Sequence, residues 1–169
     1  MSCDMLKLLD HLQIGRVDVV GLSDGGIIGL DLAIHHPRRI RRLVAISANF
    51  DVNGLLERST SEIVIPRTPL RYKLLAQVPA CWNAPYRNVV TMWQTQPHYT
   101  LKDLGNIKAR TLIMAGEFDV VRHGHINQLS KPIPGSQQII IEGATHRLLV
   151  EKPNIVNSHI LRFIDEESS

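Results

Sequence analysis

Four short stretches of the chain are almost continuously apolar, and segments with helical spacing of apolar residues lie around them. Strands that alternate polar and apolar residues have one face in water, whereas strands covered on both faces read as continuous apolar runs. Strands of the second kind with helices between them predict a parallel sheet in an α/β fold. We therefore expect an α/β fold with a mostly parallel sheet of about four strands and flanking helices. The four stretches are 17–22, 43–47, 111–115 and 138–141.

Helical periodicity places helices before, between and after these strands. The first is expected over residues 5–12, with Asp4 as its N-cap and Gly15 as the residue that stops it. Three more are expected, one ending near residue 36 before a proline, one over 125–131 and one beginning at residue 153.

Residues 51–105 interrupt this rhythm of strands and helices. They hold five prolines together with both tryptophans and all three tyrosines. We interpret 51–105 as a cap-like insertion over the carboxyl ends of the strands, within a single domain that spans residues 1–169. Short helices are expected over 70–78 and 88–94. Its aromatic residues either line an acyl pocket or form a small core of the insertion; they are Tyr72, Trp82, Tyr86, Trp93 and Tyr99.

Residues 21–25 carry the pattern G-x-S-x-G between a predicted strand and a predicted helix. This context is typical of a nucleophile elbow, a sharp turn that projects a serine hydroxyl beyond the sheet. The serine is Ser23, and the helix behind it presents free N–H groups to a developing oxyanion. Such a turn leaves room only for small neighbours, which predicts a steric role for Gly21, Gly25 and Gly26.

A serine hydroxyl needs a base, and the base needs an acid to orient it. Asp119 follows the third predicted strand and His146 follows the fourth, so both fall at the edge where parallel sheets place their sites. The chain order of serine, acid and histidine is that of the nucleophile-elbow hydrolases. Two other carboxylates compete with Asp119 for the role of the acid: Glu117, whose alternative role is a local cap, and Asp51, which follows the second strand.

The remaining histidines and glycines give weaker signals. His123 and His125 could be taken for a metal pair, but no cysteine or carboxylate stands beside them at ligand spacing, so a junction between a loop and a helix is favoured. A dinucleotide fingerprint fails because Ser23 stands where its second glycine is required. We expect neither a metal nor an organic cofactor.

These blocks together resemble the α/β-hydrolase superfamily, in particular its small serine esterases. The resemblance implies that Ser23 is the nucleophile, His146 the general base and then acid, and Asp119 the partner that orients it. It also implies that the backbone N–H of Asp24 is one oxyanion donor and that the substrate is a small carboxylic ester. The matching blocks are 19–26, 36–37, 111–119 and 143–146 followed by 151–153.

The resemblance covers only the part of that fold from the nucleophile strand onward. The four strands that precede it in the family, and the loop that supplies a second oxyanion N–H, have no counterpart in these residues. The strand over 17–22 would then have an unpaired apolar edge, which must be covered to avoid aggregation. A partner subunit that pairs there or a rearranged N-terminal helix would cover it, or the chain is a piece of a longer protein. Among these alternatives we expect a homo-oligomer that pairs through this edge. The alternative function is a truncated, weakly active or inactive remnant that acts as a dimerisation or binding module.

Composition narrows the class of protein without changing this interpretation. Of the 169 residues 44% are hydrophobic and 21% are charged, which is usual for a soluble domain. No apolar run suits a membrane span, and the N-terminus has no basic region typical of a signal peptide. The cysteines, Cys3 and Cys81, are expected to be free thiols, which favours the cytoplasm. The arginine-rich segment 38–42 has no interleaved aromatics, so we expect a solvated connection and no nucleic-acid partner.

Overall fold

The computed structural model of the chain describes residues 1–56 and 83–166, with the side chains of 83–87 excepted. Its strands are β1 (Val17–Leu22), β2 (Ile40–Ile46), β3 (Arg110–Phe118) and β4 (Gln137–Thr145). Its helices are α1 (Ser2–His11), α2 (Asp24–His35), α3 (Asn83–Thr95), α4 (Leu101–Gly105), α5 (His123–Ser130), α6 (Leu148–Glu151) and α7 (Pro153–Asp165). A single 3-10 turn (Val52–Gly54) follows β2 in the described ranges.

The four strands form one sheet in the order β1-β2-β3-β4, and every neighbouring pair is parallel. The prediction of an α/β fold with a parallel four-stranded sheet is therefore confirmed. Strand β2 shows why the apolar runs are continuous: Leu43 and Ala45 belong to one buried cluster, and Val44 and Ile46 belong to another. Because both faces of the sheet are covered, successive side chains of the central strands are apolar and do not alternate with polar ones.

Each face of the sheet has its own helices. The first cluster includes Leu30 of α2 and Ile126 of α5, and the second includes Val156 and Phe163 of α7. All four side chains are buried at 2% exposure or less. The two helical layers hold the strand ends in fixed positions, and those ends carry the candidate site.

The ends of α1 differ from the sequence-based expectation. Met1 is the N-cap and Asp4 lies inside the first turn, where a carboxylate interacts favourably with the helix dipole. The chain leaves the helix at Gln13, which has a left-handed φ of 57°. Gly15 is therefore not the residue that stops the helix. The helix thus ends two residues earlier than the glycine predicts.

The insertion 51–105 is described only in part. The expected helix over 88–94 lies within α3, which is longer, and the expected helix over 70–78 falls outside the described residues. Helix α4 was not expected; Thr100 caps it, with a reciprocal hydrogen bond to Asp103.

Strand β1 is the terminal strand of the sheet, as we expected for the strand over 17–22. Val20 in its middle is 47% exposed. At its start, the Asp18 carboxylate accepts hydrogen bonds from Arg41 and Arg42, and the hydrogen bond from Arg41 lowers its pKa. The arginine-rich segment is thus partly occupied in holding β1 to β2. None of the helices in the described ranges is long and apolar enough to cross a membrane.

Candidate active site

Ser23 occupies the turn between β1 and α2, where it is the N-cap residue of the helix. Its backbone has φ 54° and ψ −119°, a combination that non-glycine residues rarely adopt. The Ser23 N–H donates to the Ile46 carbonyl over 2.8 Å, so this strained turn is anchored to the neighbouring strand. Strain of this kind persists where the surrounding structure enforces it, and it is common at functional sites.

The glycines around Ser23 are not equivalent. A Cβ atom at Gly21 would lie 2.2 Å from the Gly25 carbonyl oxygen, and one at Gly26 would lie 2.8 Å from the Ala48 side chain. A Cβ atom at Gly25 would meet no described atom within 4 Å. The expected steric requirement therefore holds for two of the three glycines and is wrong for Gly25.

Asp24 begins α2 directly after Ser23. Its backbone N–H has no backbone acceptor in the described part of the chain, and it is one of the free donors of the helix N-terminus. Its side chain accepts the indole N–H of Trp93, with Nε1 at 3.0 Å from both carboxylate oxygens. The Asp24 side chain therefore binds α3, and its backbone N–H remains a donor at the turn.

Asp119 follows β3 and has a fully buried carboxylate. Its Oδ2 accepts hydrogen bonds from Ser47 Oγ at 2.5 Å and from the Gly116 N–H at 3.2 Å. Its Oδ1 lies 2.9 Å from His146 Nδ1 and 3.2 Å from the Val121 N–H. Burial by itself raises the pKa of Asp119, but these four hydrogen bonds outweigh it and the net pKa is lowered. The group is an anion that accepts from the imidazole.

His146 follows β4, and a local irregularity brings it to Asp119. The pairing of β3 with β4 shifts between Gly116 and Phe118, and Gly143 has a φ of +64° at this point. A Cβ atom at Gly116 would lie 2.5 Å from the Ala144 carbonyl oxygen, so the two strands approach closely only because glycine is there. The imidazole is 31% exposed, with Nδ1 toward the carboxylate.

Ser23 and His146 line the same cavity, which has a volume of about 250 Å³. The walls come from the ends of β1, β2 and β4 and from α3, and they include Ser47, Asn49 and Trp93. The arrangement places a strained serine, a histidine and a histidine-bound buried carboxylate at one rim of the sheet. These are the residue types that a serine–histidine–aspartate triad combines.

The two rival carboxylates are engaged elsewhere. Glu117 accepts the Gly143 N–H at 2.8 Å and so fixes the irregular turn of β4. Asp51 accepts the Asn53 N–H at 2.9 Å, and His98 lies 3.5 Å from it. Among the described contacts, His146 meets Asp119 and neither of these rivals.

His125 and His123 belong to the frame of the site. His125 accepts the Phe50 N–H at 3.1 Å and its ring stacks on that of Phe50 at 4.1 Å. Burial lowers its pKa to about 4, so it is neutral. His123 contacts the Gly116 carbonyl at 3.2 Å. Within the described ranges, no group of three or more His, Cys, Asp or Glu residues is placed to hold a metal ion.

Two residues of the site were not singled out from the sequence. Ser47 was taken as the last residue of a strand, although a polar residue at the carboxyl end of a parallel strand is a usable signal. Trp93 was recognised only as one of five aromatic residues. Its hydrogen bond to Asp24 depends on how α3 packs against α2. The spacing of residues along the chain does not predict that packing.

Known proteins with similar sequences include named hydrolases. The chain is 25% identical over 195 residues to "Putative carbamate hydrolase RutD" of Agrobacterium fabrum, a match that covers 97% of this chain and 73% of that protein. It is 25% identical over 181 residues to carboxylesterase YbfK of Bacillus subtilis, covering 95% of this chain and 61% of that protein.

Among solved structures, a hydrolase from Pseudomonas aeruginosa superposes with a TM-score of 0.72 at 24% identity, covering 98% of this chain and 71% of that one. The model of the alpha/beta hydrolase family matches residues 2–158. Because that match takes in almost the entire chain, together with the parallel sheet and the turn at Ser23, the chain belongs to the alpha/beta hydrolase family.

Proposed function

We propose that this chain is a serine hydrolase that cleaves small carboxylic esters through an acyl-enzyme. The single observation that carries the proposal is the 2.9 Å contact between His146 Nδ1 and Asp119, made at the cavity that Ser23 also lines. With Nδ1 held by a carboxylate, the proton-accepting nitrogen of the imidazole is Nε2.

In the proposed reaction, His146 Nε2 takes the Ser23 proton as Oγ attacks the ester carbonyl carbon. The tetrahedral oxyanion accepts a hydrogen bond from the Asp24 N–H. His146 then gives its proton to the leaving alcohol as the bond between carbon and the alkoxy oxygen breaks, which leaves the acyl group on Ser23. A water that loses its proton to His146 attacks this ester. His146 then returns the proton to Ser23 Oγ as the bond between Oγ and the acyl carbon breaks and the acid leaves. Asp119 stays ionised throughout and stabilises the imidazolium.

The oxyanion donors limit how fast this reaction runs. Removing one donor from an oxyanion hole costs about 10²–10³ in turnover. In the proposed reaction the backbone N–H of Asp24, which has no backbone acceptor among the described residues, is one such donor. We expect turnover that depends on Ser23.

Hydrolysis of p-nitrophenyl acetate and butyrate by the wild type and by Ser23→Ala tests the proposal. We expect the variant to lose all activity above that of buffer. Equal rates for the two proteins would remove the enzyme assignment.

Carbamates are a second candidate substrate, because the matched relative from Agrobacterium fabrum is named as a carbamate hydrolase and that from Bacillus subtilis as a carboxylesterase. Both substrates present a carbonyl to the same nucleophile. The ratio of kcat/KM for a p-nitrophenyl carbamate to that for p-nitrophenyl acetate decides between them, and we expect the ester to be preferred.

The rival hypothesis of a dimerisation module draws on the exposed edge of the sheet. β1 is the terminal strand and Val20 is 47% exposed, so a second copy could pair there. We propose a homo-oligomer formed through this edge. Light scattering measures its size, and an oligomer that fails to react with a fluorophosphonate probe would favour the module over the enzyme.

A further inference from the structure

A second cavity lies beside the one at Ser23. Its volume is about 540 Å³, against about 250 Å³ for the cavity that Ser23 and His146 line. Pockets that bind small molecules usually measure about 300–1,000 Å³, so the first cavity is small for a ligand and the second is not. The two cavities share four wall residues, which are Asp24, Ile27, Trp93 and Gln96.

Trp93 is the largest of these shared residues, and its position is fixed. Its indole Nε1 lies 3.0 Å from each carboxylate oxygen of Asp24, the residue next to Ser23. This hydrogen bond ties α3 to the start of α2. The ring therefore forms part of the wall of both cavities, and its hydrogen bond is to the residue next to the proposed nucleophile.

The second cavity suits an uncharged apolar chain. Two carboxylates line it, but each already accepts a hydrogen bond from the facing segment: Asp24 from Trp93, and Asp31 from the Tyr99 hydroxyl at 2.7 Å. Met1 also lines this cavity, and its N-terminal ammonium is paired with Asp4 at 3.3 Å. The apolar part of the wall comprises Ile27, Ile28, Met92 and Pro97.

We propose that Trp93 sets the chain-length limit of the substrate, as a partition that confines the ester to the smaller cavity. This inference rests on the proposed esterase function. An apolar chain too long for the cavity at Ser23 meets the indole ring, and removal of the ring joins the two cavities. Trp93 is thus a specificity-determining residue, and the second cavity is the space into which a longer chain passes.

The kinetic test compares p-nitrophenyl acetate with p-nitrophenyl octanoate. The expected result is that Trp93→Ala raises the ratio of kcat/KM for octanoate to that for acetate by at least about tenfold, since even one methylene in an apolar pocket can be worth that much. Gln94→Ala is the matched control, because Gln94 is exposed on the same helix and lines neither cavity. Trp93→Leu gives the same direction of change should the alanine variant fail to fold.

A second substitution tests whether the apolar chain of the substrate enters the larger cavity. Ile28 lines only the larger cavity, and Ile28→Trp on the Trp93→Ala background should return the octanoate ratio toward that of the wild type. Replacing the acyl series by ethyl and octyl acetate shows whether the acyl or the alkoxy chain enters. An unchanged ratio in both series for Trp93→Ala, or a wild type that already prefers octyl chains, would overturn the proposal.

A binding measurement separates this inference from the proposed function. In the Ser23→Ala background, octan-1-ol is a neutral probe whose binding, measured by calorimetry, requires no turnover. We expect Trp93→Ala to bind it at least about tenfold more tightly, and equal binding would overturn the partition. Ester hydrolysis independent of Ser23 would instead overturn the proposed function alone.

Discussion

Ser47 Oγ donates a hydrogen bond to Oδ2 of Asp119 over 2.5 Å, on the carboxylate oxygen opposite the one that contacts His146. The carboxylate is buried, so loss of this donor leaves a charged group less satisfied. We expect Ser47→Ala to lower the free energy of unfolding by about 1.5–3 kcal/mol, the range for hydrogen bonds to charged groups. Urea unfolding at pH 7 measures it.

Ser136→Ala is the control for Ser47→Ala. The Ser136 hydroxyl donates to the neutral Ser130 carbonyl at 2.7 Å, and such bonds contribute only about 0.5–1.5 kcal/mol. Equal losses for the two variants would show that the Ser47 bond has no special strength.

Asp119→Asn tests the orienting role of the acid. An amide in place of the carboxylate favours the wrong imidazole tautomer, and a change of this kind lowers turnover by about 10⁴ in a serine triad. We expect a fall in kcat of that order for p-nitrophenyl acetate.

Glu117→Gln and Asp51→Asn are the matched controls for the acid, because neither carboxylate contacts His146 among the described contacts and each amide oxygen can still accept the backbone N–H that the carboxylate binds. We expect both variants to keep kcat within about threefold of the wild type, the size of effect that loss of a peripheral hydrogen bond produces. A loss at Asp51 as large as that at Asp119 would reassign the acid.

His125 predicts a dependence of stability on pH. Burial lowers its pKa from 6.5 to about 4, so the unfolded chain takes up a proton in this interval before the folded chain does. The free energy of unfolding is therefore unaffected by this titration above pH 6.5. It falls progressively as the pH drops toward 4, by about 3 kcal/mol in all.

His125→Gln removes this titration, while the glutamine amide oxygen can still accept the Phe50 N–H. The difference in unfolding free energy between variant and wild type should therefore change between pH 7 and pH 4. Parallel pH profiles for the two proteins would contradict the assignment of a buried neutral imidazole.

Gly21→Ala and Gly25→Ala are a matched pair within the turn at Ser23. The first would place a Cβ atom 2.2 Å from a carbonyl oxygen, whereas the second meets no described atom within 4 Å. We expect Gly21→Ala to lose activity and several degrees of melting temperature. Gly25→Ala should match or slightly exceed the wild type in stability, since alanine favours helices over glycine. Equal melting temperatures would contradict this distinction.

The sheet was predictable because its signal is local and repeated. The apolar runs at β1 to β4 lie on strands buried on both faces, and Leu43 to Ile46 show the alternation between clusters that produces such runs. The ends of the strands were harder to predict from the sequence. The expected fourth strand ends at residue 141, but β4 continues past Gly143 through its positive φ.

The candidate site was predictable as far as chain order carries information. Ser23, Asp119 and His146 each follow a predicted strand, and parallel strands bring such positions to one rim. The contacts of Trp93 and Ser47 were not predictable, because they depend on packing between segments far apart in the sequence. The proposed oligomer and the proposed cytoplasmic location stay predictions.

Covalent labelling of Ser23 is the most direct test of the central claim that this side chain is an activated nucleophile. The protein is treated with a fluorophosphonate, and the modified peptide is identified by mass spectrometry. We predict one adduct on Ser23, absent from Ser23→Ala and strongly reduced in His146→Ala. Ester hydrolysis by a protein that carries no adduct at Ser23 would contradict the account.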